Sequence, residues 1–149
     1  MKKTILALAL VAGLTGFAGS AMAGNKTRAI ITPADDVKFV PLNSNDKSDK
    51  GVLIHVVYGA LNKKGPVAFL ARLPDGFSAG CHSHSSDSYI TVIKGTYREW
   101  CRGKSQGKAI LPGGTVFMPA NMVHNNLAEA KGGYTLTYSY WPNGFNVNK

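Results

Sequence analysis

The stretch GFSAGCHSHSSDSYITVIKG, residues 76–95, sets two histidines one residue apart between glycines and runs on into strand-forming residues. Side chains of an extended strand alternate with a period of two, so His82 and His84 share one face while Cys81 and Ser83 turn to the other. Two imidazoles on one face can grip a metal ion from one side. The acid that would complete such a site is missing, because serines stand at 83, 85, 86 and 88. A third ligand has to come from a distant part of the chain. GGTVFMPANMVHNN, residues 113–126, offers His124 just after a strand-like run and a proline turn.

Around these two stretches, short runs rich in Val, Ile, Tyr and Thr recur between turn residues. They are VLIHVVY (52–58), VAFLARL (67–73), SYITVI (88–93), TYREWC (96–101), KAIL (108–111), TVFM (115–118) and YTLTYSYW (134–141). Gly59, Gly65-Pro66, Pro74-Asp75-Gly76, Gly95, Pro112-Gly113-Gly114 and Gly132-Gly133 punctuate them. Many short strands at near-regular spacing predict an all-β sandwich or barrel. The one helical signal is TPADD (32–36), with Thr32 as N-cap, Pro33 at the first position and two acids in the first turn. No repeat and no low-complexity linker divides the chain, which predicts one domain with a core over about 35–143.

The opening MKKTILALALVAGLTGFAGSAMA has a charged start, an apolar stretch and small residues at Ala21-Met22-Ala23. That is the pattern of a bacterial secretory signal, residues 1–23, cleaved to leave 24–149 in the periplasm or outside the cell. Its apolar core is broken by Gly13, Thr15 and Gly16 and is short of the roughly 20 residues of a membrane span. The formal charge of +9 includes Lys2 and Lys3, which the cleavage removes. The remaining cations are scattered, so the expectation is a basic soluble surface with neither nucleic acid nor membrane as partner. Cys81 and Cys101 reach an oxidising compartment, where a disulfide between neighbouring strands and two buried thiols are both open.

Both histidine stretches resemble the motifs of the cupin family. The first cupin motif is glycine, five residues, His-x-His, three or four residues, Glu, six residues, glycine. Gly76, His82, His84, Ser88 and Gly95 fall at those spacings, with Ser88 at the glutamate position. In the second motif Gly113, Pro119 and His124 match, while Asn121 stands at an inner glycine and Ala128 at the closing asparagine. Asn tolerates the left-handed backbone that such a turn requires. The resemblance implies a single-domain cupin jelly-roll β-barrel, with His82, His84 and His124 as three of the family's usual four metal ligands. Its fourth position falls to Ser88, with Asp87 as the nearest carboxylate if the loop shifts by one residue. Homodimers are common in the family, so pairing of two copies is a further implication.

Three neutral imidazoles leave the double charge of a divalent ion uncompensated, which favours a small-molecule or anionic ligand in the barrel and acidifies a bound water. Zinc, copper or iron would suit such donors. Asn125, Asn126 and Tyr138 are candidates to tune the pocket, and His55 reads as an ordinary hydrogen-bonded strand residue. Arg72 and Arg98 read as surface cations with a capacity to clamp an acid. The catalytic residues are unknown, because the sequence shows no assured base beside the metal. The expected function is an exported metal-binding protein with a three-histidine site. The alternative is a three-histidine Fe(II) dioxygenase acting on a small organic substrate, for which the resemblance offers thiol and diketone dioxygenases as precedent.

Overall fold

A computed structural model describes residues 29–42, 51–101 and 103–148. The expected signal, residues 1–23, lies outside them. Everything below belongs to the unit that starts at Ile31.

Eight strands follow a single 3-10 turn at Ala34–Asp36: β1 (Val40–Pro41), β2 (Leu53–Tyr58), β3 (Val67–Pro74), β4 (Ser88–Lys94), β5 (Thr96–Cys101), β6 (Thr115–Met118), β7 (His124–Glu129) and β8 (Tyr134–Trp141). All pairings are antiparallel. One sheet has six strands in the order β1-β2-β3-β8-β4-β6, and β5 and β7 form a second. The two sheets face each other as a jelly roll that no ladder closes into a barrel, and isolated bridges add His82 and Ile110 to the small sheet through His124 and Tyr97.

The inner faces follow from alternation. Along β3, Val67, Phe69, Ala71 and Leu73 are buried, and β8 brings Thr135, Thr137, Ser139 and Trp141 alongside them. From β4 come Ser88, Ile90 and Val92; from the small sheet come Tyr97 and Ala128. One apolar cluster, including Ile54, Phe69, Val92, Tyr97 and Trp141, therefore joins both sheets. Each fully buried Val or Phe in it contributes about 1.5–3 kcal/mol. At the other end of the inner face the residues turn polar, and that end holds the histidines.

Three sequence expectations are corrected here. Residues 108–111 form no strand, and only Ile110 pairs, through a bridge to Tyr97. Pro33 precedes the 3-10 turn, which has no side-chain cap, so Thr32 does not serve as one. His124 follows the strand Thr115–Met118 and the Pro119 turn as expected, and it also begins a strand not foreseen, since HNNLAE pairs along its whole length with β5. Contacts also run past Asn143, because Asn148 and Ser83 exchange backbone hydrogen bonds of 2.9 Å.

Candidate metal centre

His82 and His124 lie on adjacent backbone segments and exchange both main-chain hydrogen bonds, at 2.9 and 2.8 Å. That pairing points their side chains to the same face, towards the interior. His84 follows two residues on, and its carbonyl accepts the Asn121 amide at 2.6 Å. Asn121 makes that contact with φ at 63°, the left-handed backbone expected of the residue at the motif's inner glycine. All three imidazoles are buried, with ring centroids 4.3–5.2 Å apart. One candidate ligand atom from each lies within 4.8 Å of the others. Nitrogens bound tetrahedrally to one ion at about 2.1 Å stand roughly 3.4 Å apart, so the widest pair closes by up to about 1.4 Å when the set shares one ion.

The ring orientations are held from behind. His82 Nδ1 donates to the Gly80 carbonyl at 2.8 Å, His124 Nδ1 to the Met122 carbonyl at 2.9 Å, and His84 Nδ1 to the Asn146 carbonyl. A carbonyl only accepts, so each neutral ring carries its proton on Nδ1 and leaves Nε2 as a lone pair. Burial pushes His84 down to about 4, more than the Asn146 bond raises it, and the neighbouring imidazoles push the same way. It is neutral at physiological pH and ready to ligate.

A carboxylate does reach this cluster, from a strand where the sequence reading did not look. Glu99 of β5 pairs with Asn126 of β7 in register, two residues from His124. Its Oε1 stands 3.2 Å from His124 Nε2, with both side chains about 4% exposed. Its Oε2 is buried without a hydrogen-bond partner among the described residues. Burial pushes this carboxyl up to about 8, partly offset by the Tyr97 hydroxyl. Asn126 steadies Tyr97 by donating to its oxygen at 3.2 Å, and accepts the Ala79 amide at 2.9 Å. The expectation that the pocket lacks an assured base is thus corrected. The available signal was the alternation of TYREWC, which puts Tyr97, Glu99 and Cys101 on one face.

Ser88 is buried and lines the same cavity, of about 120 Å³, with the three histidines and Glu99. Asp87 does not enter it. Its Oδ1 accepts the Ala120 amide at 2.8 Å, which holds the turn before His124 and leaves no shifted loop. Asn125 is also turned away: its Oδ1 accepts from Ser78 Oγ at 3.0 Å, and Asn126 lines the cavity instead. Tyr138 lies on the face of β8 opposite Thr137 and Ser139, outside the pocket. No disulfide forms between Cys81 and Cys101. Alternation exposes Cys81 on the side away from His82, and Cys101 Sγ packs against Met122 Sδ at 3.5 Å. His55 Nδ1 bonds the Lys38 carbonyl as an ordinary strand residue would. Arg72 lies over the rings of Phe39 and Tyr134, and Arg98 pairs with Glu129 at 2.9 Å, so neither clamps a ligand.

No family model matches the sequence, and no curated protein aligns with it. Solved structures do superpose. The polyketide cyclase RemF from Streptomyces resistomycificus matches with a TM-score of 0.65 at 15% identity, over 82% of this chain and 85% of that one. An RmlC-like cupin from Ralstonia eutropha matches at 0.61 and 14% identity, over 81% and 79%. The chain has the cupin fold. KdgF from a Halomonas species superposes as well, at 0.58 and 15% identity, over 76% of this chain and 94% of that one. At these identities the likeness speaks for the architecture. Within this fold the motif positions Gly76 and Gly95 both take positive φ, as tight turns at either end of the first motif require.

Proposed function

We propose that this cupin is exported, loses residues 1–23, and holds one divalent metal ion through Nε2 of His82, His84 and His124. The observation that carries the reading is the set of three Nδ1–carbonyl bonds, which commit each Nδ1 and leave each Nε2 as the ligating atom of a close, buried cluster. Such outer hydrogen bonds orient imidazole ligands and raise their basicity. A metal held there supplies Lewis acidity to whatever small molecule or anion shares the cavity. The protein's own part is to orient the three rings, keep His84 neutral by burial, and exclude bulk water with Phe145, Trp141 and Phe69. His84 packs against Trp141 and Phe145, at centroid distances of 4.4 and 5.7 Å.

Cavity size favours binding of a small ligand over dioxygenation of an organic substrate. A volume of about 120 Å³ is well below the roughly 300–1,000 Å³ of typical organic-ligand pockets. Pairing of two copies through the outer face of the six-stranded sheet belongs to the same proposal. There Tyr89, Phe117 and Tyr140 stack with centroids 5.1 and 6.2 Å apart while remaining exposed. Calorimetric titration of metal-stripped protein with Zn²⁺ should show one equivalent per chain, and His84→Ala should lose it. Absence of any binding in the wild type overturns the reading.

A further inference from the structure

We propose that Glu99 is the fourth protein ligand of this centre, a carboxylate supplied by β5 in place of the one absent at Ser88. The inference rests on the three-histidine reading above and adds a residue that neither motif contains. Four observations meet in it.

The first is distance. Glu99 Oε1 lies 3.2 Å from His124 Nε2, and His124 Nδ1 is already committed as a donor to Met122. With the ring proton on Nδ1, this contact needs either the Glu99 proton or a cation between its two atoms. A cation shared by both atoms resolves that contact.

The second is the orphan. Glu99 Oε2 is buried and lacks a hydrogen bond, an arrangement that is costly unless something binds there. The third is the exchange of bulk across the cavity. Ser88 on β4 is small and almost fully buried, and both Ser88 and Glu99 line the same space from opposite sheets. A small residue at the motif position leaves room for a long one from the facing strand. The fourth is framing: β5 pairs with β7 at every residue from Thr96 to Cys101. A diagonal neighbour two residues out of register is within reach of a long side chain, so the ladder that places His124 also places Glu99. With Glu99 ionised and bound, the protein neutralises half of a divalent charge, and the demand for an anionic exogenous ligand is correspondingly weaker.

Cobalt(II) titration of wild type, Glu99→Gln, Glu99→Asp and His84→Ala tests this, read by visible absorption and by affinity. Glu99→Gln is expected to bind at least 10-fold more weakly than wild type with a changed d–d spectrum, and added acetate should restore part of the wild-type spectrum. Glu99→Asp is expected to fall between the two. Weaker binding with an unchanged spectrum would make Glu99 a residue that only orients His124, and the proposal would fail. Unchanged affinity and spectrum in Glu99→Gln, together with loss in His84→Ala, would overturn Glu99 while the three-histidine reading stands. No cobalt binding by wild type overturns both. Crystals of wild type grown with Zn²⁺ give an arm free of any folding defect. A Glu99 oxygen within about 2.2 Å of the ion is expected, and one beyond about 3 Å contradicts the proposal.

Discussion

Burial holds the Glu99 carboxyl up at about 8 and the His84 imidazole down at about 4. In the metal-free protein both are therefore neutral near pH 6, and each sets one limb of stability against pH. Between its ordinary value of 4.5 and about 8, folded Glu99 keeps a proton that the unfolded chain releases, so stability falls as pH rises through that window. Between 6.5 and about 4, the unfolded chain takes up a proton that folded His84 refuses, so stability falls as pH drops. Glu99→Gln removes the first limb only. The melting temperature of metal-free wild type, measured relative to Glu99→Gln, should fall by roughly 5 °C or more from pH 5 to pH 8. A constant difference would mean that Glu99 is not held neutral. At this scale the three histidines were legible because their spacing is local. Glu99 was not, because it lies outside both histidine motifs and reaches the cluster only through the pairing of β5 with β7. Asp87 drew attention by its nearness in sequence, yet its carboxylate closes a backbone turn.

Strands with alternating Val, Ile, Tyr and Thr were readable from the letters, and β2, β3, β4, β5, β6 and β8 lie within a residue or so of their expected positions. The strand β7 was hidden, since His, Asn, Ala and Glu have little preference for extended structure. Its place is set by partners: β5 along its length, and Gly76 and Phe77, which exchange hydrogen bonds with Ala128. Conversely KAIL has the composition of a strand but only Ile110 finds a partner. The position of β5 is guarded by Gly107, where an added Cβ would stand 2.0 Å from the Glu99 carbonyl oxygen. Gly107→Ala must therefore push β5 aside, at a cost of about 2–4 kcal/mol. Denaturant melts should show that loss, and metal affinity should drop with it. A variant as stable as wild type would show that β5 has freedom to move.

For the whole molecule, sequence spacing was sufficient for the architecture, because two motifs separated by the length of β4, β5 and β6 can meet only if the chain doubles back. What it could not supply was the open seam between the sheets or the closing of the site by Asn146 and Phe145 from the C-terminal segment. Thiols are a whole-chain test of the arrangement: the unfolded, unreduced protein should titrate with two free thiols, and none would mean that Cys81 and Cys101 bridge after all. Metal binding should also report on the entire domain. Free metal at 100 times its dissociation constant should add about 2.7 kcal/mol to folding stability, seen as a higher melting temperature that chelator reverses.

The most direct measurement is elemental analysis of the protein purified after metal-replete growth, beside His84→Ala. One equivalent of zinc, copper or iron per wild-type chain, and none in the variant, is the expected result. Equal metal in both, or none in the wild type, would contradict a single ion held by His82, His84 and His124.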